Sequence, residues 1–326
     1  MIITRTPLRI SIGGGGTDLP SYYRRFGGAL ISSAIDKYVF IGINKTFSPG
    51  YLVKYSRYER AASIAEIHHP IVREALRLHN MEPSLEIISL ADIPAGTGLG
   101  SSGSFTVGLV RALYAMRKQY VTAEDVAREA CSIEIDILEQ AVGKQDQYIA
   151  SYGGVTCFEF LPDDTVKVTP LKISNQTRSD LEENLLLFFT GYSRTASDIL
   201  EDQVKRTSGG DAAMIDNLHF IKDVGLRIKA ALEAGDTAKF AQLMHEHWQM
   251  KQRRSGNMSS GSINRWYEVG RDAGALGGKM VGAGGGGFLM FYTHDRTRLR
   301  QAMAREGLAE LPFRFDYDGS TTIVRG

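Results

Sequence analysis

Stretches of two-residue period and of helical period alternate along the whole chain. Residues 8–12 alternate apolar and polar side chains as a strand does. Residues 28–47 are dense in β-branched and aromatic side chains and predict two paired strands, with a third at 52–58. Residues 69–79 carry Val72, Ala75 and Leu76 at helical spacing, and residues 85–90 read as a strand that leads through a loop into a helix ending near Met116. The helix expected over 123–142 has Thr122 as N-cap and Asp125 at the capping-box position. Its apolar stripe is Val126, Ala130, Ile133, Ile137 and Ala141; Glu134 falls inside the stripe, whereas Glu129, Asp136 and Glu139 project away. Strands at 155–160 and 166–171 follow, and the polar stretch 171–180 is the expected domain boundary. Beyond it come a buried strand at 184–190 and helices over 196–206, 212–234, 237–251 and 262–273, the last capped by Ser262. A strand at 288–292 and closing strands between 313 and 324 complete the pattern.

Three glycine-rich stretches interrupt these periods. Glycines 13–16 follow the first strand and lead into Thr17 and Asp18, where backbone approaches a ligand and a carboxylate accepts hydrogen bonds from hydroxyls, or where a hairpin turn is capped. The second stretch is PAGTGLGSSGS at 94–104. Gly96, Gly98, Gly100 and Gly103 free the backbone around Leu99, Ser101, Ser102 and Ser104 supply hydroxyls, and the following helix points its unpaired N–H groups and positive dipole end into the loop. That arrangement is an anion site. In the third stretch, 277–293, glycines 282 and 284–287 leave little but backbone, so a ligand or another loop passes close by.

Composition narrows the class. The chain has 326 residues, 43% of them hydrophobic, enough for one large core or two ordinary ones. A net charge of +1 argues for neither nucleic acid nor a membrane surface as partner. Cys131 and Cys157 form no CxxC pair, which suits a reducing cytoplasm, and the N-terminus lacks the plan of a signal peptide. No apolar run approaches the ~20 residues that span a bilayer. His68 and His69 have no third ligand near them in sequence.

Two carboxylates and five cations stand out. Glu134 on a buried stripe calls for a partner: an internal salt bridge, or Mg²⁺ shared with a hydroxyl and phosphate oxygens. Asp146, in GKQDQY just past Gly143, either handles the proton of an attacking hydroxyl or caps the next turn. Lys251, Arg253 and Arg254 cluster beside hydroxyl-rich residues, with Lys205 and Arg206 as a second basic pair; each group serves a phosphate or simply faces solvent. The P-loop signature is absent, and although GLGSSG matches the dinucleotide fingerprint, ADIPAGTG intervenes between it and the preceding strand. A nucleoside triphosphate is the expected ligand.

TPLRISIGGGGTD, PAGTGLGSSGS and KMVGAGGGGF, in this order and spacing from 6 to 288, resemble the three motifs of the GHMP kinases. The first motif with its TDLP, followed by GKQDQY and the third motif, is most similar to bacterial D-glycero-D-manno-heptose 7-phosphate kinases, and fucokinases share parts of it. The resemblance implies an α+β, two-domain fold: a mixed-sheet N-terminal domain (1–174), a ferredoxin-like C-terminal domain (175–326), and the active site in the cleft between. It implies ATP and Mg²⁺, with 94–104 around the phosphates and Ser102 and Glu134 on the metal. Asp146 is then the catalytic aspartate and Arg9 the basic residue beside it. Several family members have lysine there, and an arginine cannot shuttle protons, so its role is electrostatic. Gly15, Gly16, Thr17 and Asp18 hold the sugar, together with Gly284, Gly285 and Gly286. The implied reaction is phosphorylation of the anomeric hydroxyl of a heptose 7-phosphate, or of a fucose-like sugar; a sensor without turnover is the reading from another class. A 7-phosphate needs a second anion pocket, for which Lys251, Arg253 and Arg254, then Lys205 and Arg206, are the candidates. Small molecules are the expected partners, and a homodimer is left open.

Overall fold

The structure, a computed structural model, describes residues 1–191, 197–254 and 260–326. The chain opens with β1 (Ile2–Gly14), α1 (Pro20–Phe26), β2 (Gly28–Lys45), β3 (Tyr51–Lys54), β4 (Tyr58–Ala61), α2 (Pro70–Leu78) and β5 (Leu85–Ala91). α3 (Ser101–Met116) and α4 (Ala123–Cys131) come next, then a π-helical stretch Ser132–Ile137, α5 (Gln145–Tyr152), β6 (Val155–Phe160) and β7 (Val166–Pro170). The second half holds α6 (Asn175–Asn184), β8 (Leu185–Phe189), α7 (Ser197–Ser208), α8 (Ala212–Glu233), α9 (Thr237–Gln252) and α10 (Gly261–Asp272). It closes with β9 (Gly277–Met280), β10 (Phe288–Tyr292), α11 (Arg296–Arg305), β11 (Ala309–Leu311) and β12 (Thr321–Arg325).

The first sheet is mixed. Its order is β12-β1-β2-β5-β3-β4, with β6 and β7 continuing from β2, and only the β3–β5 pair is parallel among the described strands. The second sheet has the antiparallel order β11-β8-β10-β9. Strands one to four of the C-terminal half thus lie as 4-1-3-2 with helices in the crossovers, which is the ferredoxin-like arrangement. A change of sheet falls between β7 and β8, close to residue 174, but β12 returns to pair with β1. The two-residue period explains how the sheets share a core. Leu185 and Leu187 of β8 and Met290 of β10 join the large cluster that includes Ile10, Ile31, Val224 and Phe240, while Leu186, Phe188, Leu289 and Phe291 face Trp248 and Trp266 on the other side. α8 and α9 are therefore the packing that joins the halves. No helix among the described residues is long and apolar enough to cross a membrane.

Several expectations need correction. Residues 28–47 form one strand, not two: no turn residues divide them, and β2 pairs with β6 over its first part and with β5 over its last, against β1 throughout. Asp36 and Lys37 are absorbed as a bulge where the register shifts. The expected strand 52–58 is instead β3 and β4, joined by a turn. The capping box of Thr122 and Asp125 is present, but α4 gives way to π geometry at Ser132, with Leu138 N donating to Ile133 O. The extra residue in that turn rotates the positions C-terminal to it, so Ile137 is 40% exposed and Ala141 lies outside the helix. Ser260, not Ser262, caps α10. Lys279 and its neighbours are a strand rather than loop. Ala196, expected to start a helix, lies outside the described residues.

Candidate active site

β1 carries Arg9 on its inner face and ends in glycines; α3 starts directly out of the second glycine loop; α5 starts just behind it. α3 has no side-chain cap, its N-cap Gly100 being left-handed (φ 77°), so its first N–H groups face the cleft without a capping side chain. The N-terminal turns of α3 and α5 pack so closely that a Cβ at Gly103 would lie 2.7 Å from Cβ of Asp146. What passes close to the third glycine loop is the second: a Cβ at Gly282 (φ 81°) would lie 2.7 Å from the carbonyl oxygen of Gly98. Together these elements enclose a cleft of about 570 Å³. A wider hollow of about 710 Å³ lies along α4, where Glu124 is held by the hydroxyls of Tyr148 and Tyr152 and Asp164 by the hydroxyl of Tyr23 and by Lys144.

Arg9 grips Asp146 with both ends of its fork, Nε to Oδ1 at 2.7 Å and Nη2 to Oδ2 at 3.0 Å, while Nη1 donates to the carbonyl of Gly98. The Arg9 side chain is 8% exposed and that of Asp146 28%, so the carboxylate is the open side of the pair. Asp18 accepts from the backbone N–H groups of Gly16 (3.0 Å) and Gln145 (3.2 Å). Burial pushes its carboxyl up, the charge of Asp146 adds to that, and those N–H groups pull the other way. Glu134, fully buried, accepts from Ser102 Oγ at 2.6 Å and from Gln147 Nε2 at 2.7 Å. Burial raises its carboxyl too, against those two hydrogen bonds. A carboxylate and a hydroxyl adjoining an uncapped helix start are the hard oxygen donors Mg²⁺ takes when phosphate oxygens and water complete its shell, so the residues fit that ion. No group of three or more His, Cys, Asp or Glu side chains placed to hold a metal by themselves occurs among the described residues.

Models of the GHMP kinases N terminal domain and the GHMP kinases C terminal domain match residues 64–154 and 228–309. The chain is 31% identical over 98% of its length to a D-glycero-alpha-D-manno-heptose 7-phosphate kinase of Campylobacter jejuni, 97% of which is covered. The chain belongs to the GHMP kinases. It is an ATP-dependent sugar kinase of that family. A crystal structure of a D-glycero-D-manno-heptose 1-phosphate kinase from Bacteroides thetaiotaomicron superposes with a TM-score of 0.80 at 27% identity, covering 99% of both chains. A Bacteroides fragilis L-fucokinase/L-fucose-1-P guanylyltransferase is 25% identical over 89% of this chain, which spans 34% of that larger protein.

In this kinase the cleft brings together Arg9, Gly15, Gly16, Asp18, Gly96, Gly98, Gly100, Ser101, Ser102, Gly103, Glu134 and Asp146. Leu99 is buried, and its carbonyl accepts from Arg9 N–H at 2.9 Å. Ser104 is not available to phosphates, because its hydroxyl donates to the Pro7 carbonyl at 2.7 Å. Thr17 is likewise structural: it faces inward and bonds the Ala29 backbone. From the third loop the cleft wall is Gly282 and Ala283 rather than Gly284, Gly285 and Gly286.

The five candidate cations separate. Lys251 and Arg254 line the cleft. Arg253 and Lys205 are exposed, and Arg206 is held by Asp211 (2.7 Å) and the Arg254 carbonyl (2.7 Å) away from it. Lys279, His247, Gln203, Gln145 and Gln147 escaped the sequence reading. Lys279 lies buried below the first glycine loop, Nζ to Ile12 O at 3.4 Å, and burial lowers its ammonium to about 7. His247 donates Nε2–H to Gly14 O at 2.8 Å and is held neutral by burial. A lone lysine among glycines and apolar residues at 277–281 was a readable signal for Lys279; Gln203, in an ordinary polar helix, had none.

Proposed function

We propose that this kinase transfers the γ-phosphoryl group of ATP to the anomeric hydroxyl of D-glycero-D-manno-heptose 7-phosphate, giving the 1,7-bisphosphate for nucleotide-activated heptose synthesis. The observation that carries the transfer chemistry is the meeting, in one cleft, of an uncapped helix start and a carboxylate clamped by an arginine. The choice of acceptor is supported by the near full-length likeness to the Campylobacter enzyme.

The loop N–H groups and the α3 dipole hold the triphosphate and spread its charge, which is most of what phosphoryl transfer asks of a protein. Ser102 and Glu134 would hold Mg²⁺, which supplies charge neutralisation on the phosphates when bound. Asp18 accepts hydrogen bonds from sugar hydroxyls and fixes the ring. Asp146 accepts the hydrogen bond of the anomeric hydroxyl and takes its proton as the new O–P bond forms and the bond to the ADP oxygen breaks. Arg9 keeps the Asp146 carboxylate aimed and offsets charge on the transferring group, a role its fork geometry suits.

A panel of sugars tested for ADP release decides the acceptor. The expected result is turnover of the heptose 7-phosphate, with phosphorus NMR placing the new phosphate on the anomeric oxygen. Faster turnover of fucose or another unphosphorylated sugar refutes the proposal in favour of the fucokinase-like reading.

A further inference from the structure

We infer that the cleft wall formed by Arg254, Gln203 and Lys251 is a built subsite for the phosphomonoester dianion of the acceptor, packed against the glycine loop that carries Asp18. The inference rests on the acceptor proposed above and gives it a location.

Arg254 is 5% exposed and lines the cleft. Its Nε donates to Asn217 Oδ1 and its Nη1 to Gln203 Oε1, both at 3.1 Å, so neutral amides hold the guanidinium rigidly without cancelling its charge. Nη2 has no hydrogen-bond partner among the described residues. Lys251, also buried, spends one proton on the carbonyl of Gly282. Neither it, Arg254 nor Lys279 forms an ion pair with a carboxylate among the described residues, although Arg9, close by, has Asp146. Arg254 thus keeps a buried charge with no ion-pair partner among the described residues, beside two buried amines whose ammonium forms burial and neighbouring cations disfavour; an anion entering the cleft offsets the one and favours protonation of the others, and several donors gathered there match a dianion better than a carboxylate.

Position selects the acceptor's phosphate over those of ATP. Asp18 is the carboxylate whose charge Arg254 feels, and Asp18 in turn feels Asp146. Asp18, whose Oδ1 accepts from the Gly16 N–H at 3.0 Å, ties the wall to the loop that is to hold the sugar ring. Gln203 also donates to Gly16 O at 2.7 Å, and a Cβ at Gly16 would lie 2.7 Å from Arg254 Nη1, so the wall is packed against the loop that reaches the sugar. Lys251 reaches the other way, through Gly282 to the Gly98 carbonyl of the triphosphate loop, so Arg254 and Gln203 are the members of the wall on the sugar side.

The test uses the full-length protein and two readouts: calorimetric binding of inorganic phosphate, with acetate as comparison, and the ratio of kcat/KM for heptose 7-phosphate to that for the unphosphorylated heptose. Wild type is expected to bind phosphate and not acetate. Arg254→Gln is expected to weaken phosphate binding and lower the ratio by about 10- to 100-fold, the value of a charge-assisted hydrogen bond and its charge. Arg253→Gln, the same charge removed one residue along on the surface, is expected to leave both readouts as they were. Arg254→Lys keeps the charge and is expected to lose less than Arg254→Gln. Equal losses in both, with lowered melting temperatures, overturn the subsite in favour of a structural role, as does a rise in the KM for ATP instead of for the sugar. If Arg254→Gln abolishes phosphate binding while wild type prefers the unphosphorylated heptose, the anion site stands and the proposed acceptor falls.

Discussion

Asp146→Asn separates the chemistry of this kinase from its architecture. The substitution keeps the side-chain shape, and Asn Oδ1 still accepts from Arg9 Nε, but the second hydrogen bond, now 3.0 Å, and the negative charge are lost. Removing one partner of a buried pair costs about 3–5 kcal/mol when both are fully enclosed. The Asp146 side chain is 28% exposed, so water reaches the site and the cost falls to about 1–2 kcal/mol. With 326 residues, and about 2.1 cal/mol/K of unfolding entropy per residue, that lowers Tm by roughly 1.5–3 °C. The effect on turnover is far larger, because a carboxylate that accepts the hydroxyl proton contributes about 10²–10⁴-fold. Steady-state ADP release, nucleotide titration and a thermal melt on the same preparation read all three quantities. The expected outcome is kcat down by about 10²–10⁴-fold, KM for ATP little altered because the α3 loop is untouched, and the small Tm loss. A kcat within fivefold of wild type, alongside the predicted Tm loss, refutes the catalytic role and leaves Asp146 as the structural partner of Arg9.

Glu134→Gln can remake both local hydrogen bonds, its amide donating to Ser102 Oγ and accepting from Gln147 Nε2, while removing a buried charge. Tm without ligands is expected to hold or rise, while the extra stabilisation by Mg²⁺ with ATP shrinks; an undiminished metal-dependent shift contradicts the metal role. Gly282→Ala places a Cβ 2.7 Å from the Gly98 carbonyl at φ 81°, where backbone must yield on both sides. The KM for ATP is expected to rise about tenfold or more, and an unchanged value shows that the two loops move independently. Lys279, with its ammonium at about 7 when folded and 10.5 as the ordinary value, gives a pH signature. Between those values the unfolded chain binds a proton that the folded one does not, so stability rises with pH through that window, by up to about 1.4 kcal/mol per unit, and the slope vanishes below it. Charges of Arg9 and Arg254 add to the burial that causes this shift. Urea melts at pH 7 and 8.5 are expected to show a smaller rise for Lys279→Met; parallel slopes refute the assignment.

The cations show most plainly where reading along the chain stops. In sequence Lys251, Arg253 and Arg254 are one cluster. Past the end of α9 the chain makes one more turn, Arg254 N–H donating to Lys251 O at 3.1 Å, so Lys251 and Arg254 line the cleft while Arg253 is exposed. On α7 the buried face carries Gln203 and Thr207, which puts Lys205 and Arg206 to the side. Ser102 and Ser104 look equivalent in GLGSSGS, yet one reaches Glu134 and the other the Pro7 carbonyl. Helix phase at the end of a loop decides such cases, and a glycine loop leaves that phase open.

The order of the three glycine motifs, the strand and helix periods and the capping signals settled the family and the two kinds of layer, and picked out the loop that opens α3, because each depends on neighbours a few residues apart. The fold alone decided that the glycine loops press on one another, that Arg9 and Asp146 meet across 137 positions, that Gln203 lines the cleft and that Lys279 is buried beneath the first glycine loop. Those contacts depend on how α8 and α9 seat the second sheet against the first, and the energy of that packing is spread over side chains distant in sequence, so no local pattern records it.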